Sequence, residues 1–338
     1  MTTRSKQFPA PQSASTIPTG PLKQYQQKAE PQTQANPLSA FFRKSKLSLT
    51  LPSHGNWYPK NSVNYDTLGQ LSVFAMTASD DIKFRTGDAT MTGKNIYEVI
   101  QSCVPGITIP NQIPHIDIDA ILLAIRVASY GSNFNFTVSV PQTTLTRSME
   151  INATALLDEL THRTDHWEED LNVIDETGQT LSLVITPIPM ANLFATSKNI
   201  FQLRKALTKN FDSDENIKNE SEFNTSMSTL TLSAIDLLST SIRRLSITDP
   251  TNKILLTLDA ELPQDSAQIK QTIHQLDIAY FNAIREHIDA QRKKYVFYSP
   301  EQISTEKEIN AGAPATWTTE LTFMGSDFLP ENTTKELI

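Results

Sequence analysis

The chain has 338 residues, enough for one large or two ordinary domains. Its formal net charge is −8 and its pI is near 5.3, which disfavours a surface that follows nucleic-acid phosphates. The single cysteine, Cys103, excludes an internal disulfide framework and a multi-cysteine zinc site. No apolar run approaches the roughly 18 residues of a membrane span, and no signal-peptide pattern opens the sequence. We therefore expect a soluble protein made in the cytoplasm, with neither nucleic acid nor a membrane as a direct partner.

The composition divides the chain into an arm and a body. Residues 1–40 are rich in Gln, Pro, Ser and Thr, and such a stretch cannot bury enough surface to offset the entropy of ordering it. We predict an arm that is either flexible or ordered by a partner. The body is predicted to be α+β, with short antiparallel strands and hairpins and a C-terminal helical half. Its expected parts are an α+β domain over 41–190, a helical region over 191–298 and an extended docking segment over 299–338.

The first elements of the body are predicted from periodicity. Residues 46–51 alternate polar and apolar side chains, as a half-buried strand does, and residues 70–75 form the next strand. Apolar residues at helical spacing predict a helix over 96–103, which Pro105 ends. Cys103 lies on the apolar side of this helix, so a small core residue is expected there rather than a nucleophile.

The centre of the body is predicted to be a helix over residues 117–130, which is apolar nearly all round and must therefore be buried. Asp117 or Asp119 is expected to cap it, and Gly131 supplies the left-handed residue that stops it. A strictly alternating strand over 133–140 follows, with residues 149–151 as its partner.

The last part mixes a hairpin with long helices. Residues 171–174 and 180–185 are predicted to pair across a Gly-containing turn. Apolar stripes predict helices over 200–211, 227–245 and 265–288, the last opening with a capping box of Asp265 and Gln268. Two short strand patterns, at 295–298 and 321–324, close the sequence.

Several of these segments together resemble a known family. The segments are Leu51–Pro59, Phe74–Asp81, Arg85–Ala89, Ile96–Cys103 and Arg126–Gly131. They are similar to the baseplate proteins of T-even-type contractile-tail phages, where a Leu-Pro-Ser-x-Gly-x-x-Tyr loop leads to a Met-Thr-Ala-x-x-Asp strand end. A Gly-centred turn, a helix ending in Cys and an Ile-Arg-x-x-Ser-Tyr-Gly helix end follow in that family. The resemblance is strongest over residues 47–140.

The resemblance implies a structural protein of the baseplate, in the central hub or the zone joining hub to wedges. Its partners would be other hub and wedge proteins, in several copies around the tail axis, and it would be found in the virion after a stage in the host cytoplasm. An assembly chaperone for the hub, absent from the finished particle, is the alternative. The long helices and the terminal segments are the expected contact surfaces.

Enzyme chemistry finds little support in the sequence. His162 and His166 have the i, i+4 spacing of a metal-binding helix face, but Arg163 stands where a metalloprotease carries its catalytic Glu. A hydrolase or metal-dependent enzyme built on this pair is a third reading. Relatives often carry a Cys-Pro-x-Cys pair suggestive of zinc, whereas residues 138–143 keep only Pro141. We predict no catalytic, cofactor-binding or metal-binding residues, and no enzymatic activity.

Overall fold

The structure of the protein, a computed structural model, describes residues 42–86, 93–163, 166–211, 229 and 232–323. Within these residues α-helices alternate with small antiparallel sheets, so the predicted α+β class is confirmed. The arm over residues 1–40 lies outside the described residues, as do the Gly-centred turn at 87–89 and residues 324–338 of the C-terminal segment.

The first half of the body contains the predicted strands and helices in their predicted order, together with two helices, over 78–85 and 153–162, that were not predicted. Its elements are β1 (Ser45–Leu49), β2 (Leu71–Phe74), α1 (Ala78–Arg85), α2 (Lys94–Cys103), a 3-10 turn (Pro110–Gln112), α3 (His115–Tyr130), β3 (Asn133–Ser139), β4 (Thr146–Asn152) and α4 (Ala153–His162). β1 pairs with β2 and β3 pairs with β4, both antiparallel. Each pair presents its alternate apolar residues to one side, as the period of two in the sequence predicted.

Helix α3 is the packing centre of this half. Eleven of its residues are buried, including Ile121, Leu122 and Leu123, and the two strand pairs, α2 and α4 contribute to the same hydrophobic core. The prediction of a buried central helix is confirmed, and Gly131 follows it with a φ of +89°. The predicted cap is wrong, because the residue preceding the helix is Pro114 and no side chain caps it.

The second half is organised by a four-stranded antiparallel sheet. Its elements are β5 (Asp170–Ile174), β6 (Thr180–Ile185), α5 (Met190–Phe211), α6 (232–239), β7 (Ile242–Thr248), β8 (Ile254–Asp259), α7 (Pro263–Gln275) and α8 (Ile278–Lys293). The strand order is β5-β6-β7-β8, so every neighbour in space is also a neighbour in sequence. Leu183, Leu245 and Leu258 of the sheet meet Ile269 and Ile288 of the helices in a second hydrophobic core.

Two helix predictions in this half are wrong. The apolar stripe over 227–245 is not one helix, because the helical part ends at residue 239 and Ile242 begins β7. Pairing with β6 satisfies the backbone of this segment and buries Ile242 and Leu245 in the sheet. The stripe over 265–288 is two helices, separated where Asp277 caps the second one. The predicted capping box is absent, since the Asp265 carboxylate instead accepts a hydrogen bond from the Asp259 amide at 3.0 Å.

The C-terminal elements return to the first core. They are β9 (Phe297–Tyr298), β10 (Gln302–Ile303), α9 (Glu306–Asn310), β11 (Thr316–Trp317) and β12 (Glu320–Leu321), with β9 paired to β12 and β10 to β11. Phe297, Trp317, Leu321 and Phe323 are buried among the residues around α3. Arg147 of β4 fastens this segment, because its guanidinium donates to the Glu308 carboxylate and to the Ile303 carbonyl and lies 5.4 Å from the centre of the Trp317 ring.

Candidate functional site

The loop before β2 is held by a buried carboxylate of α3. The Asp117 carboxylate accepts hydrogen bonds from the Ser53 amide at 2.8 Å, the Ser53 hydroxyl at 2.5 Å and the Tyr58 hydroxyl at 2.9 Å. Burial raises the pKa of Asp117 to about 6, although the hydrogen bonds from Ser53 and Tyr58 oppose the rise. The Ser and Tyr of the Leu-Pro-Ser-x-Gly-x-x-Tyr motif therefore bind their own loop to the central helix.

The second motif segment is fixed to the other end of the same helix. The Met76 amide donates to the Ser129 hydroxyl at 2.9 Å, and the Tyr130 hydroxyl donates to the Asp81 carboxylate at 2.5 Å. Thr77 caps α1 in a capping box with Asp80. The strand end before α1 and the C-terminal turn of α3 are thereby joined by side-chain hydrogen bonds.

The Arg of the Ile-Arg-x-x-Ser-Tyr-Gly motif also acts within the fold. Arg126 is 3% exposed, and its guanidinium donates to the Gly131 carbonyl at 2.7 Å. The guanidinium also lies 4.6 Å from the centre of the Phe134 ring, and this cation–π contact joins the end of α3 to the start of β3. The Leu-Pro-Ser-x-Gly-x-x-Tyr, Met-Thr-Ala-x-x-Asp and Ile-Arg-x-x-Ser-Tyr-Gly segments therefore all support the arrangement of loops and strands around α3.

The N-terminal turn of α3 holds two further segments. The Asp119 carboxylate accepts a hydrogen bond from the Phe323 amide at 2.7 Å, and burial raises its pKa to about 6. The His115 Nδ1 atom accepts a hydrogen bond from the Ile188 amide at 3.0 Å, which places the ring proton on Nε2. Burial lowers the pKa of His115 to about 4, so the imidazole is neutral.

A cleft of about 490 Å³ opens beside the 51–59 loop. Its aromatic lining comes from Trp57, Tyr58, Trp167 and Tyr295, and its polar lining includes His54, His166, Glu169 and Arg243. The volume lies within the range of sites that receive a small ligand or a partner side chain.

Trp57 is fixed at this cleft in an unusual backbone conformation. Its backbone φ angle is +64°, a value that residues other than glycine rarely adopt. The indole Nε1 donates to the Glu169 carboxylate at 2.6 Å, and the ring meets Trp167 edge to face at 6.2 Å between centroids. Trp167 is held in turn, because its own Nε1 donates to the Ile185 carbonyl at 2.8 Å. The cleft wall is therefore preorganised, and it offers aromatic surface whose two indole N–H groups are already paired within the fold.

Sequence reasoning missed this grouping. The two tryptophans are far apart in the chain and neither has a sequence context that distinguishes a cleft wall from a core position. The only available signal was the position of Trp57 within the motif loop, which places it near α3 but does not indicate its partner.

The histidine pair considered as a metal site does not share a helix face. Helix α4 ends at His162, and His166 lies in irregular backbone beside the cleft. Residues 164–165 lie outside the described part of the chain. Arg163 donates to the Lys294 and Val296 carbonyls. Within the ranges that the structure describes, no group of three or more His, Cys, Asp or Glu residues is arranged to hold a metal ion.

Cys103 is a core residue, as its place on α2 predicted. The side chain is buried, and burial raises the pKa of the thiol to about 12. A thiol with so high a pKa is a poor nucleophile at neutral pH, because the reactive species is the thiolate.

Comparison with known proteins identifies the family. The family model described as T4 bacteriophage base plate protein matches residues 44–310, which is more than half of the chain. The comparisons with curated proteins and with solved structures returned no match. Among the described residues, every helix is too short or too polar to cross a membrane. The matched range contains the central helix, the motif segments between residues 51 and 131 and the cleft, and the chain therefore belongs to the T4 bacteriophage base plate protein family.

Proposed function

We propose that this baseplate protein is a structural subunit at the central hub, or at the junction between hub and wedges, and that it acts by binding other baseplate proteins. The proposal is based on the observation that the motif side chains make hydrogen bonds within the fold. Ser53, Tyr58, Arg126 and Tyr130 all make hydrogen bonds that fix the shape around α3. Motifs used in this way specify a rigid body that presents surfaces to its neighbours.

The chemistry of the buried groups supports a binding role rather than catalysis. Asp117 and Asp119 are engaged by backbone and hydroxyl donors inside the fold, and Cys103 is buried. A general acid or base must reach the proton that it transfers, whereas Asp117 and Cys103 are buried and the Asp119 carboxylate is engaged by the Phe323 amide. We therefore propose that the chain has no enzymatic activity, in keeping with the family of structural baseplate proteins to which it belongs.

The cleft beside Trp57 supports binding by a different argument. Interface energy is concentrated in a few residues, among which Trp, Tyr and Arg are enriched. The cleft combines two tryptophans, two tyrosines and Arg243 on a preorganised wall. In a tail baseplate, closed rotational symmetry requires several copies of such a subunit, each using the same surfaces.

Quantitative mass spectrometry of purified virions tests the proposal. The chain should be present at a fixed ratio to other baseplate proteins, and a cryo-EM map should place residues 44–310 near the tail axis. If the chain occurs in assembly intermediates but not in finished particles, it is an assembly chaperone and the structural proposal is wrong.

A further inference from the structure

The two hairpins of the four-stranded sheet end side by side in turns of the same design. Asp175 accepts hydrogen bonds from the Thr177 and Gln179 amides at 2.9 and 2.7 Å. Asp249 accepts them from the Thr251 and Lys253 amides at 2.8 and 2.9 Å. The turns touch each other, since a Cβ atom built on Gly178 would lie 3.4 Å from Pro250. We call residues 173–181 together with 247–256 the double-hairpin tip.

The strand register places apolar side chains on both faces of the double-hairpin tip. On the face that carries the second core, the outermost row is Val173, Leu181, Ile247 and Leu256. On the opposite face, the outermost row is Ile174, Thr180, Thr248 and Ile254. Successive residues of a strand point to opposite faces of the sheet. The core on one face therefore cannot also bury the row of side chains on the other face.

The aliphatic side chains at the tip remain exposed. Ile174 is 67% exposed, Ile254 65%, Leu255 53% and Leu256 36%, whereas Leu258 on the same strand is 4% exposed. Leu255 is the extra residue of a β-bulge between the Ile247 and Thr248 pairings. A bulge reorients side chains and blunts an edge strand against pairing with another strand. The exposed residues are therefore suited to insertion into a pocket rather than to strand addition.

The charges around the tip specify what such a pocket must offer. Three carboxylates, those of Asp175, Glu176 and Asp249, stand in the two turns with one ammonium group, that of Lys253. A hydrogen bond from the Thr177 hydroxyl lowers the pKa of Asp175, and one from the Thr251 hydroxyl lowers that of Asp249, so both stay ionised at neutral pH. The rim of the tip is thus acidic around an apolar centre.

We propose that the double-hairpin tip is an interaction surface that inserts into an apolar pocket with a basic rim on a different baseplate protein. The proposal rests on the binding role proposed above but not on a position at the hub. The turns are already fixed by hydrogen bonds from their own residues, so they lose little conformational entropy on binding. This favours tight binding to a partner through a small contact area.

A second copy of this chain does not fit as the occupant. Four partly exposed aliphatic side chains present a patch of a few hundred Å², well below the roughly 800 Å² that a standard interface buries on each partner. Two tips facing each other would also oppose the same three carboxylates, and like charges across an interface weaken binding. A partner with basic residues around its pocket avoids the charge repulsion, and a pocket that encloses the tip covers more of its surface than a second tip facing it would.

Affinity purification from infected cells tests the proposal, since these cells supply all other baseplate proteins. The tagged full chain is compared with the Ile174→Ser/Ile254→Ser variant and with a matched control, Leu68→Ser/Ile303→Ser, whose residues are 79% and 77% exposed. The amount of each co-purifying baseplate protein per bait chain is measured by mass spectrometry. Circular dichroism and thermal unfolding check that each variant is folded. We expect the tip variant to lose one baseplate protein by about tenfold, as hot-spot truncation does, and the control to retain it within about twofold.

Two further experiments identify the protein that binds the double-hairpin tip. A photo-crosslinking residue in place of Leu255 should link to that same baseplate protein, and Glu176→Lys should reduce its retention. Equal retention by the tip variant and the control overturns the proposal. Crosslinks from position 255 only to a second copy, or only to this chain's own residues, overturn it as well. The proposed hub function is tested separately by the virion composition, so failure of one is distinguishable from failure of the other.

Discussion

Replacing Asp117 by asparagine should change how the stability of the protein depends on pH. The carboxylate is fully buried and accepts three hydrogen bonds from Ser53 and Tyr58. An asparagine in its place is uncharged at every pH. Its oxygen can accept from the Ser53 amide and its NH₂ group can donate to the two hydroxyl oxygens, so the loop stays attached to α3.

The sign follows from the raised pKa. Burial raises the pKa of Asp117 from 3.8 to about 6, so the folded chain holds a proton at this site more tightly than the unfolded chain does. The stability contributed by this group is complete below the unfolded pKa and is lost as pH rises through about 6. A shift of about two pKa units corresponds to about 3 kcal/mol.

Urea unfolding of both proteins from about pH 4.5 to about pH 7.5 measures the effect, because other titrating groups cancel in the difference. We expect the difference in unfolding free energy to move in favour of Asp117→Asn by about 2 kcal/mol over this range, since part of the loss already occurs at lower pH. Asp249→Asn is the control. Hydrogen bonds lower the pKa of that exposed group, so its difference should be nearly constant over the same range. Parallel curves for Asp117→Asn and the unchanged protein would refute the assignment of a buried, proton-retaining carboxyl.

Three other changes probe the core, the C-terminal segment and the arm. Leu122→Ala should lower the free energy of unfolding by about 2–5 kcal/mol, because Leu122 is 1% exposed in the first core, and denaturant unfolding measures it. Arg147→Lys should cost about 1–3 kcal/mol, because an ammonium group cannot reproduce the forked bonds of the guanidinium. Hydrogen exchange of the Ser304 amide, which donates to the Ala315 carbonyl at 2.9 Å within the C-terminal segment, should report the loosening. Deleting residues 1–40 should leave the unfolding transition of the body nearly unchanged while reducing incorporation into baseplates, measured by mass spectrometry.

Each of these expectations has a result that contradicts it. A loss below about half a kcal/mol for Leu122→Ala would show that the helix is not the packing centre. Unchanged exchange at Ser304 in Arg147→Lys would show that the C-terminal segment does not depend on the guanidinium. A clear loss of body stability on deleting residues 1–40 would show that the arm belongs to the fold.

The elements that sequence alone determined are those whose pattern is local. The strict alternation over 133–140 and the helical spacing over 96–103 appear as β3 and α2. The near-continuous apolar run of α3 could be accommodated only by burial, so its central place followed from composition. The motifs that carry the family resemblance were likewise visible without coordinates.

Where the pattern was ambiguous, tertiary partners decided. The segment at 242–248 has apolar residues that suit either a helix stripe or a strand, and the free edge of β6 made it a strand. Asp265 could cap a helix or bind the Asp259 amide, and the turn after β8 brought that amide within reach. The intrinsic helix or strand propensity of a segment contributes less free energy than the burial and backbone pairing that such contacts provide.

The site depended even more on contacts distant in sequence. Asp117 is a residue type that often caps helices, yet its carboxylate accepts hydrogen bonds from Ser53 and Tyr58. These two residues come within reach only because the 51–59 loop folds over α3. The cleft wall requires Trp57 to meet Trp167 across the two halves of the body. Sequence thus determined which segments must be buried and which helices and strands have a strong local period. Only the tertiary structure determined which polar groups meet, because hydrogen bonds and aromatic contacts need atoms within a few ångströms of each other, whatever their separation along the chain.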